Sequence, residues 1–145
     1  HDALVLAANG ALVIALEQRP EIIFFTLAGI WRFSKTLSRR IHGRVADHTD
    51  YLAAQLPNSV DHVYLDPMFP KQLAGPSSTW ASLRALVPPD HRLDASTLAN
   101  ALRVARRRVV LKLAPQEQAP SFPGLPRAKL DGSRRLYFAI WDLEN

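Results

Sequence analysis

Three stretches of this chain are apolar without polar alternation, and they constrain its fold more than any other feature. Ala11 to Leu16 is unbroken, Val109-Val110-Leu111-Lys112-Leu113 is nearly so, and Val63-Tyr64-Leu65 is a third, short run that closes a strand candidate beginning at Val60. A strand with one wet face alternates polar and apolar residues. A run without alternation signals burial on both faces, as in a parallel sheet. Helical patterns separate these runs. Pro20 opens a helix at the first turn, where proline is tolerated, and Glu21 suits the positive end of its dipole. Ile23, Leu27, Ile30, Trp31 and Leu37 keep helical spacing, interrupted at Ser34. Asp94 to Ala105 is the clearest helix, with Asp94 or Ser96 as its cap and Leu98, Leu102 and Ala105 as its inner stripe. Strands alternating with helices imply a parallel sheet covered on both faces.

The remaining elements fit that frame. Asp2 to Ala8 reads as a helix closed by Asn9-Gly10. Ile41 to Ala46 is a weaker strand. Tyr51, Leu52 and Leu56 suggest a short helix before Pro57-Asn58. Lys71 to Thr79 reads as loop, and Trp80 to Leu86 as a short helix ended by Pro88-Pro89. Arg106 to Arg108 lead into the strand at Val109. Pro115 to Pro126 is an irregular, proline-rich excursion. Arg127 to Leu130 and Leu136 to Leu143 read as a hairpin, with Asp131-Gly132 as its turn signal or with a loop lengthened by Ser133 and the two arginines after it. A length of 145 residues suits a single domain with its own core, and no internal repeat is visible. The chain begins at His1 rather than Met, inside a helical stretch, which reads as a fragment whose beginning is lost.

Several classes are excluded. The chain has no cysteine, so disulfides, thiolate zinc sites and cysteine nucleophiles are ruled out, and a reducing compartment is favoured. Its five histidines (His1, His42, His48, His62, His91) show no ligand spacing, so no metal site is expected. The most apolar stretch, Ile22 to Trp31, meets Arg32 and Lys35 too soon to span a membrane. The net charge of +5 fits a phosphate-bearing partner, and also a merely basic soluble domain. Candidate phosphate contacts are Arg32, Lys35, Arg39 and Arg40, then Arg106 to Arg108, then Lys71, Arg134 and Arg135.

Acids recur where the strands end. Glu17, Asp47 and Asp66 each close a successive strand, and the carboxyl ends of parallel strands share one sheet edge, where ligands bind. The bland reading is that acids at such positions favour turns and helix N-termini. The sharper one is a nucleotide site. An acid after the second strand accepts hydrogen bonds from ribose hydroxyls, and one after the third can meet an adenine amino group. Asp66, followed by Pro67, can accept from an amine. Lys112, level with Asp66, can contact a substrate phosphate or pair with a strand-end acid. A nicotinamide enzyme would satisfy the ribose argument too, but its glycine-rich turn is not in this sequence.

Val63-Tyr64-Leu65-Asp66-Pro67-Met68-Phe69-Pro70 resembles the VYLDPMFP signature of the RsmJ-type 16S rRNA guanine-N2 methyltransferases, a class I S-adenosylmethionine-dependent family. Asp2-Ala3-Leu4-Val5-Leu6-Ala7 resembles the end of that family's first motif, G-x-G-R-D-A-x-V-L-A. Leu16-Glu17-Gln18-Arg19-Pro20 resembles its L-E-R-N-P element, and Val109-Val110-Leu111-Lys112 its VVVK strand. The segment from Lys71 to Leu93 departs, the lysine-rich HKQKS run being reduced to Lys71-Gln72-Leu73.

The resemblance implies an α/β fold with a Rossmann-like, mostly parallel sheet of seven strands in the full protein and a C-terminal antiparallel hairpin. The first strand and glycine-rich loop of that sheet would precede this chain, so these residues alone are expected to bind cofactor weakly. It implies S-adenosyl-L-methionine as cofactor, the exocyclic N2 amine of a guanine as acceptor, 16S rRNA or the 30S subunit as partner, and a cytoplasmic setting. By the same resemblance, His1 (where the family has Arg) and Asp2 would line the methionine end. Glu17 would hold the ribose hydroxyls, with Gln18 beside the adenosine. Asp47 and His48 would flank the adenine. Asp66, Pro67 and Met68 would form the catalytic turn beside the methyl group and the target amine. Phe69 would stack on an extruded base, and Lys71 and Lys112 would bind substrate. Rival readings are another amine-directed methyltransferase acting on DNA, tRNA or protein, and a non-catalytic module that binds RNA through its arginines.

Overall fold

A computed structural model of the chain describes residues 2–67, 93–114, 117–133 and 136–143. They fall into two compact units, His1–Ala54 and Gln55–Asn145.

The first unit runs α1 (Asp2–Ala8), β1 (Val13–Glu17), α2 (Pro20–Phe33), α3 (Lys35–Ser38), β2 (Ile41–Val45) and α4 (His48–Ala54). The Gly10 backbone at φ +97° closes α1, where the Ala11 N–H donates to the Leu6 carbonyl. β1 and β2 pair in parallel, from Val13↔Ile41 to Glu17↔Val45. Ala7, Ile30 and Ile41 form the core, with Ala3, Leu4, Val13, Ala15, Leu27 and Leu37 packed on it.

Two expectations are corrected here. Val13 and Ala15 point into this core, but the alternate residue Ile14 is 46% exposed. The unalternating run is therefore buried on one face within this unit, because the helices that contact β1 lie on the Val13 and Ala15 side. Trp31 also leaves the inner stripe. It follows Ile30 by about 100° around α2, which turns it outward to 56% exposure, with the Lys35 ammonium 5.4 Å from its ring centroid. Ser34 divides the expected helix in two. Its extended backbone donates to the Ile30 carbonyl, and its Oγ accepts from the Leu37 N–H to cap α3.

The second unit contains β3 (Val60–Leu65), α5 (Ala95–Val104), β4 (Ala105–Leu113), β5 (Lys129–Ser133) and β6 (Leu136–Asp142). The strand order is β3-β4-β6-β5. β3 and β4 are parallel, whereas β4–β6 and β6–β5 are antiparallel. Parallel strands followed by an antiparallel C-terminal pair are the α/β architecture expected from the sequence. Asp94 caps α5: its Oδ1 accepts from the Thr97 N–H at 2.7 Å and from Ser96 Oγ at 3.0 Å.

The details of this unit also depart from expectation. The buried stripe of α5 is Thr97, Leu98, Ala101 and Val104, not Leu98, Leu102 and Ala105. Ala105 already begins β4, and Leu102 lies beside the stripe. Arg106 to Arg108 are inside β4, where Arg106 meets Asp61 at 3.6 Å and Arg108 meets Asp142 at 2.5 Å. Leu56 lies beyond α4 and is 76% exposed. Asp131-Gly132 is not the hairpin turn. Both residues are in β5, and Gly132 pairs with Tyr137. Gly132 is required there for another reason. At φ +150°, a Cβ would stand 2.3 Å from the Leu136 carbonyl oxygen. Buried Trp141 ties the proline-rich segment to the sheet by donating from Nε1 to the Pro126 carbonyl at 3.0 Å. The loop at Lys71 to Thr79, the helix at Trp80 to Leu86, and Arg134 and Arg135 lie outside the described residues.

Candidate active site

Each unit carries a carboxyl edge with acids, and each is described by itself. In the first, the register brings Glu17 to the last position of β1, opposite Val45 at the end of β2. Glu17 Oε1 accepts from the Arg19 N–H at 3.0 Å, which shapes the turn into α2. Among the described residues its carboxylate has no other partner. A half-buried carboxylate with an unused oxygen at a strand's carboxyl end suits vicinal hydroxyls, each of which brings one donor. The residues at this edge therefore fit the ribose of a nucleoside cofactor.

Asp47 has other commitments. Its Oδ1 accepts from the Thr49 N–H at 2.8 Å and the Asp50 N–H at 3.1 Å, which caps α4. Its Oδ2 accepts from Gln18 Nε2. These contacts hold its carboxyl below the usual carboxylate range. The Asp50 N–H contributes most, burial opposes it, and the Thr49 N–H, the charge of His48 and the Gln18 amide add to the lowering. The bland reading of a strand-end acid thus applies to Asp47, which caps a helix. Its link to Gln18 was not foreseen. That link follows from the register, which sets Gln18 beside Asp47 once Glu17 is opposite Val45. His48 opens α4 at the same edge, and Asp2 is at the positive end of α1.

In the second unit Leu65 pairs with Leu111 at the end of the parallel ladder, and Asp66, the first residue past β3, comes next to Lys112. Lys112 Nζ lies 3.2 Å from Asp66 Oδ2. The Lys112 side chain is only 19% exposed and that of Asp66 is 41% exposed. Lys112 lies between Val109, Leu111 and Leu113, which are buried, on the other face of β4. A largely buried ammonium needs an anionic or polar partner, and Asp66 supplies one. Pro67 follows directly, and the residue before a proline is confined to extended backbone, which narrows the directions available to the acid. His1, Met68, Phe69 and Lys71 lie outside the described residues. No group of metal-binding side chains and no helix long and apolar enough to cross a membrane occurs among the described residues.

A parallel α/β arrangement with acids at its strand ends is compatible with a nucleotide site, and comparison with known proteins narrows the class. The family model described as "Putative SAM-dependent methyltransferase" matches residues 1–135, and the chain belongs to that family. Among curated proteins it is similar to ribosomal RNA small subunit methyltransferase J of Hydrogenovibrio crunogenus, at 34% identity over 94% of this chain and 52% of that protein. The protein of the same name from Edwardsiella ictaluri is 35% identical over 93% of this chain and 56% of its own length. The chain thus spans about half the length of the curated relatives it matches. The crystal structure of a SAM-dependent methyltransferase from Neisseria gonorrhoeae superposes with a TM-score of 0.68. It covers 97% of this chain and 56% of that one at 24% identity, a likeness of fold.

Proposed function

We propose that this chain is part of an enzyme that methylates the exocyclic N2 amine of a guanine in 16S rRNA, acting on the 30S subunit or its RNA. The observation that carries the proposal is Asp66: a carboxylate at the carboxyl end of a parallel strand, directly before a proline, in the sequence setting of the methyltransferase signature. The names of the relatives support the small-subunit RNA. The charge of +5 suits a phosphate-rich partner. The choice of guanine N2 rests on the signature. In this reading residues 1–145 belong to one methyltransferase domain working in the cytoplasm.

S-adenosyl-L-methionine supplies, when bound, a methyl group activated on a sulfonium. The residues of the chain bind and orient. Glu17 accepts from the ribose hydroxyls, and the Gln18–Asp47 link holds the turn beside the adenosine. His48 flanks the adenine, and Asp2 lies toward the methionine end with His1. Asp66 accepts hydrogen from the target amine. A guanine N2 lone pair is delocalised into the ring, so the amine is a poor nucleophile. Acceptors on its hydrogens turn the lone pair toward the methyl carbon, and positioning of this kind supplies much of the rate. Pro67 limits the wandering of the acid, and in the signature Met68 completes the catalytic motif and Phe69 has the role of stacking on the base.

The test is transfer of labelled methyl from S-adenosylmethionine to undermethylated 30S subunits, with DNA, tRNA and bulk protein as competitors. Asp66→Asn is the informative variant, because it keeps the size of the side chain and its amide oxygen can still accept from the Lys112 ammonium. Its turnover is expected to fall on the order of 100-fold or more. Wild-type turnover by this variant refutes the role of Asp66. Transfer to one of the competitors in place of the subunit moves the assignment to that substrate.

A further inference from the structure

We infer that Lys112 is a positioning residue for this transfer: it acts through Asp66, not by touching the RNA. The inference rests on the proposed function. Three observations lead to it. Asp66 and Lys112 each follow directly on the last pair of the parallel β3–β4 ladder, Leu65↔Leu111, so the strands bring the two residues side by side. The side-chain contact is 3.2 Å, ammonium to Oδ2. At 19% exposure, Lys112 is too enclosed to serve as an ordinary surface contact for phosphates, whereas the more open Asp66 faces solvent.

The chemistry gives this contact a purpose. The amine nitrogen forms its bond to the methyl carbon as the carbon–sulfur bond breaks. The electron pair of that bond stays on sulfur, giving neutral S-adenosylhomocysteine, and the nitrogen then sheds one proton to water, so that the product amine is neutral. An acceptor that must take hydrogen bonds from that amine serves best with a fixed orientation. A carboxylate has two oxygens and rotates about one bond, so tying Oδ2 to a group mounted on a neighbouring strand fixes the direction of Oδ1. Lys112 itself, at the end of β4 and opposite Phe138 on β6, is held from both sides by the sheet. Lys112 neither receives the proton nor touches the methyl group in this account.

The test uses Lys112→Met, with methyl transfer to undermethylated 30S subunits as one readout and the cofactor-free protein as another. The variant is expected to lose roughly 10-fold or more in kcat, with the KM for subunits and the affinity for S-adenosylhomocysteine within about twofold. In the Asp66→Asn background the same change is expected to cost little, because groups that act as a unit are not additive. Without cofactor, the Lys112 ammonium NMR signal is expected to move on Asp66→Asn. Because the 145 residues contain no cysteine, Lys112→Cys can be alkylated with bromoethylamine to rebuild an ammonium at that position. This is expected to restore most of the lost kcat, which a purely structural role would not require. A raised KM for subunits with unchanged kcat shows a phosphate contact and overturns the inference. So does an ammonium signal indifferent to Asp66, or a loss in kcat of equal size in both backgrounds. A wild-type protein inactive on subunits overturns the proposed function itself. An active wild type beside a fully active Lys112→Met overturns only the role of Lys112.

Discussion

Gly43 offers a direct test of how the first unit holds its cofactor edge. A Cβ on Gly43 would lie 2.6 Å from Leu27 Cδ1, 2.8 Å from Ile23 Cγ1 and 2.9 Å from Ile23 Cδ1. Carbon atoms in contact sit about 3.5–4.0 Å apart, so Gly43→Ala demands about 1 Å of movement. The Leu27 methyl can swing away. Ile23 cannot do so easily, because it is buried and β-branched and its Cγ1 moves only with the helix backbone or a change of rotamer. Overpacking of this size costs about 1–3 kcal/mol, or about 2–12 °C in melting temperature at about 2–4 °C per kcal/mol. The functional consequence follows from chain order. α2 starts at Pro20, directly after Glu17, Gln18 and Arg19, and β2 runs directly into Asp47. Pushing α2 off β2 therefore spreads Gln18 from Asp47. Urea melts and calorimetry with S-adenosylhomocysteine measure both effects: stability falls as stated, cofactor affinity falls with it, and kcat at saturating cofactor changes less than about twofold because Asp66 belongs to the other unit. Gly43→Ala should cost at least about 0.5 kcal/mol less in an Ile23→Ala background, where the two Ile23 atoms are gone and only the mobile Leu27 methyl remains. Equal costs in the two backgrounds, or a cost under about 0.3 kcal/mol in the parent, would refute the steric argument.

Asp94→Ala should destabilise the chain by about 1 kcal/mol through loss of the α5 cap, read by urea denaturation at neutral pH. The Asp94 carboxyl is held below its ordinary value of 3.8, first by the Thr97 N–H, then by the side chains of Thr97 and Ser96. Its folded-state pKa is thus depressed, so its contribution is complete above the unfolded-chain value and is lost as pH falls through the folded one. The gap between wild type and Asp94→Ala should therefore close in acid, as the pH falls below 3.8 and through the depressed folded-state value. Leu98→Ala, at a side chain 1% exposed, should cost about 2–5 kcal/mol by the same denaturation measurement. Gly132→Ala combines a positive φ with a backbone clash and should cost more than about 1 kcal/mol. A melting temperature unchanged on that substitution would show that β5 does not pair as described.

Much of the architecture was legible because strands and helices here have distinct periods. β3 runs over the residues expected of it, and β1 and β2 differ from expectation by one or two residues at their ends. What was not legible depends on neighbours. The continuous apolar character of Ala11 to Leu16 says that both faces avoid water somewhere, but not which face this unit covers, and Ile14 is open here. Ser34 was visible as an interruption, yet whether it bends one helix or caps a second is decided by its own backbone geometry. Asp131-Gly132 has the composition of a tight turn. Pairing of Gly132 with Tyr137 moves the turn onward, since cross-strand register outweighs local preference. Arg106 to Arg108 looked like a charged approach to a strand, but Asp61 and Asp142 neutralise two of them and let the strand begin early.

The same dependence on neighbours separates the three acids, which the sequence presented as equivalent. Asp47 meets N–H groups two and three residues further along its own chain, so local geometry accounts for most of its contacts and a capping role suffices. Glu17 spends one oxygen on a turn and keeps the other. The cation 3.2 Å from Asp66 comes from a residue 46 positions away on another strand. Nothing in a turn preference calls for a half-buried lysine from the next strand, and a lysine enclosed in a sheet is costly unless the pair has a use. Strand-end position alone therefore has little power to single out a reactive carboxylate. Strand-end position together with a long-range cation has more; among the described acids closing β1, β2 and β3 that combination sets Asp66 apart and supports the role proposed for it.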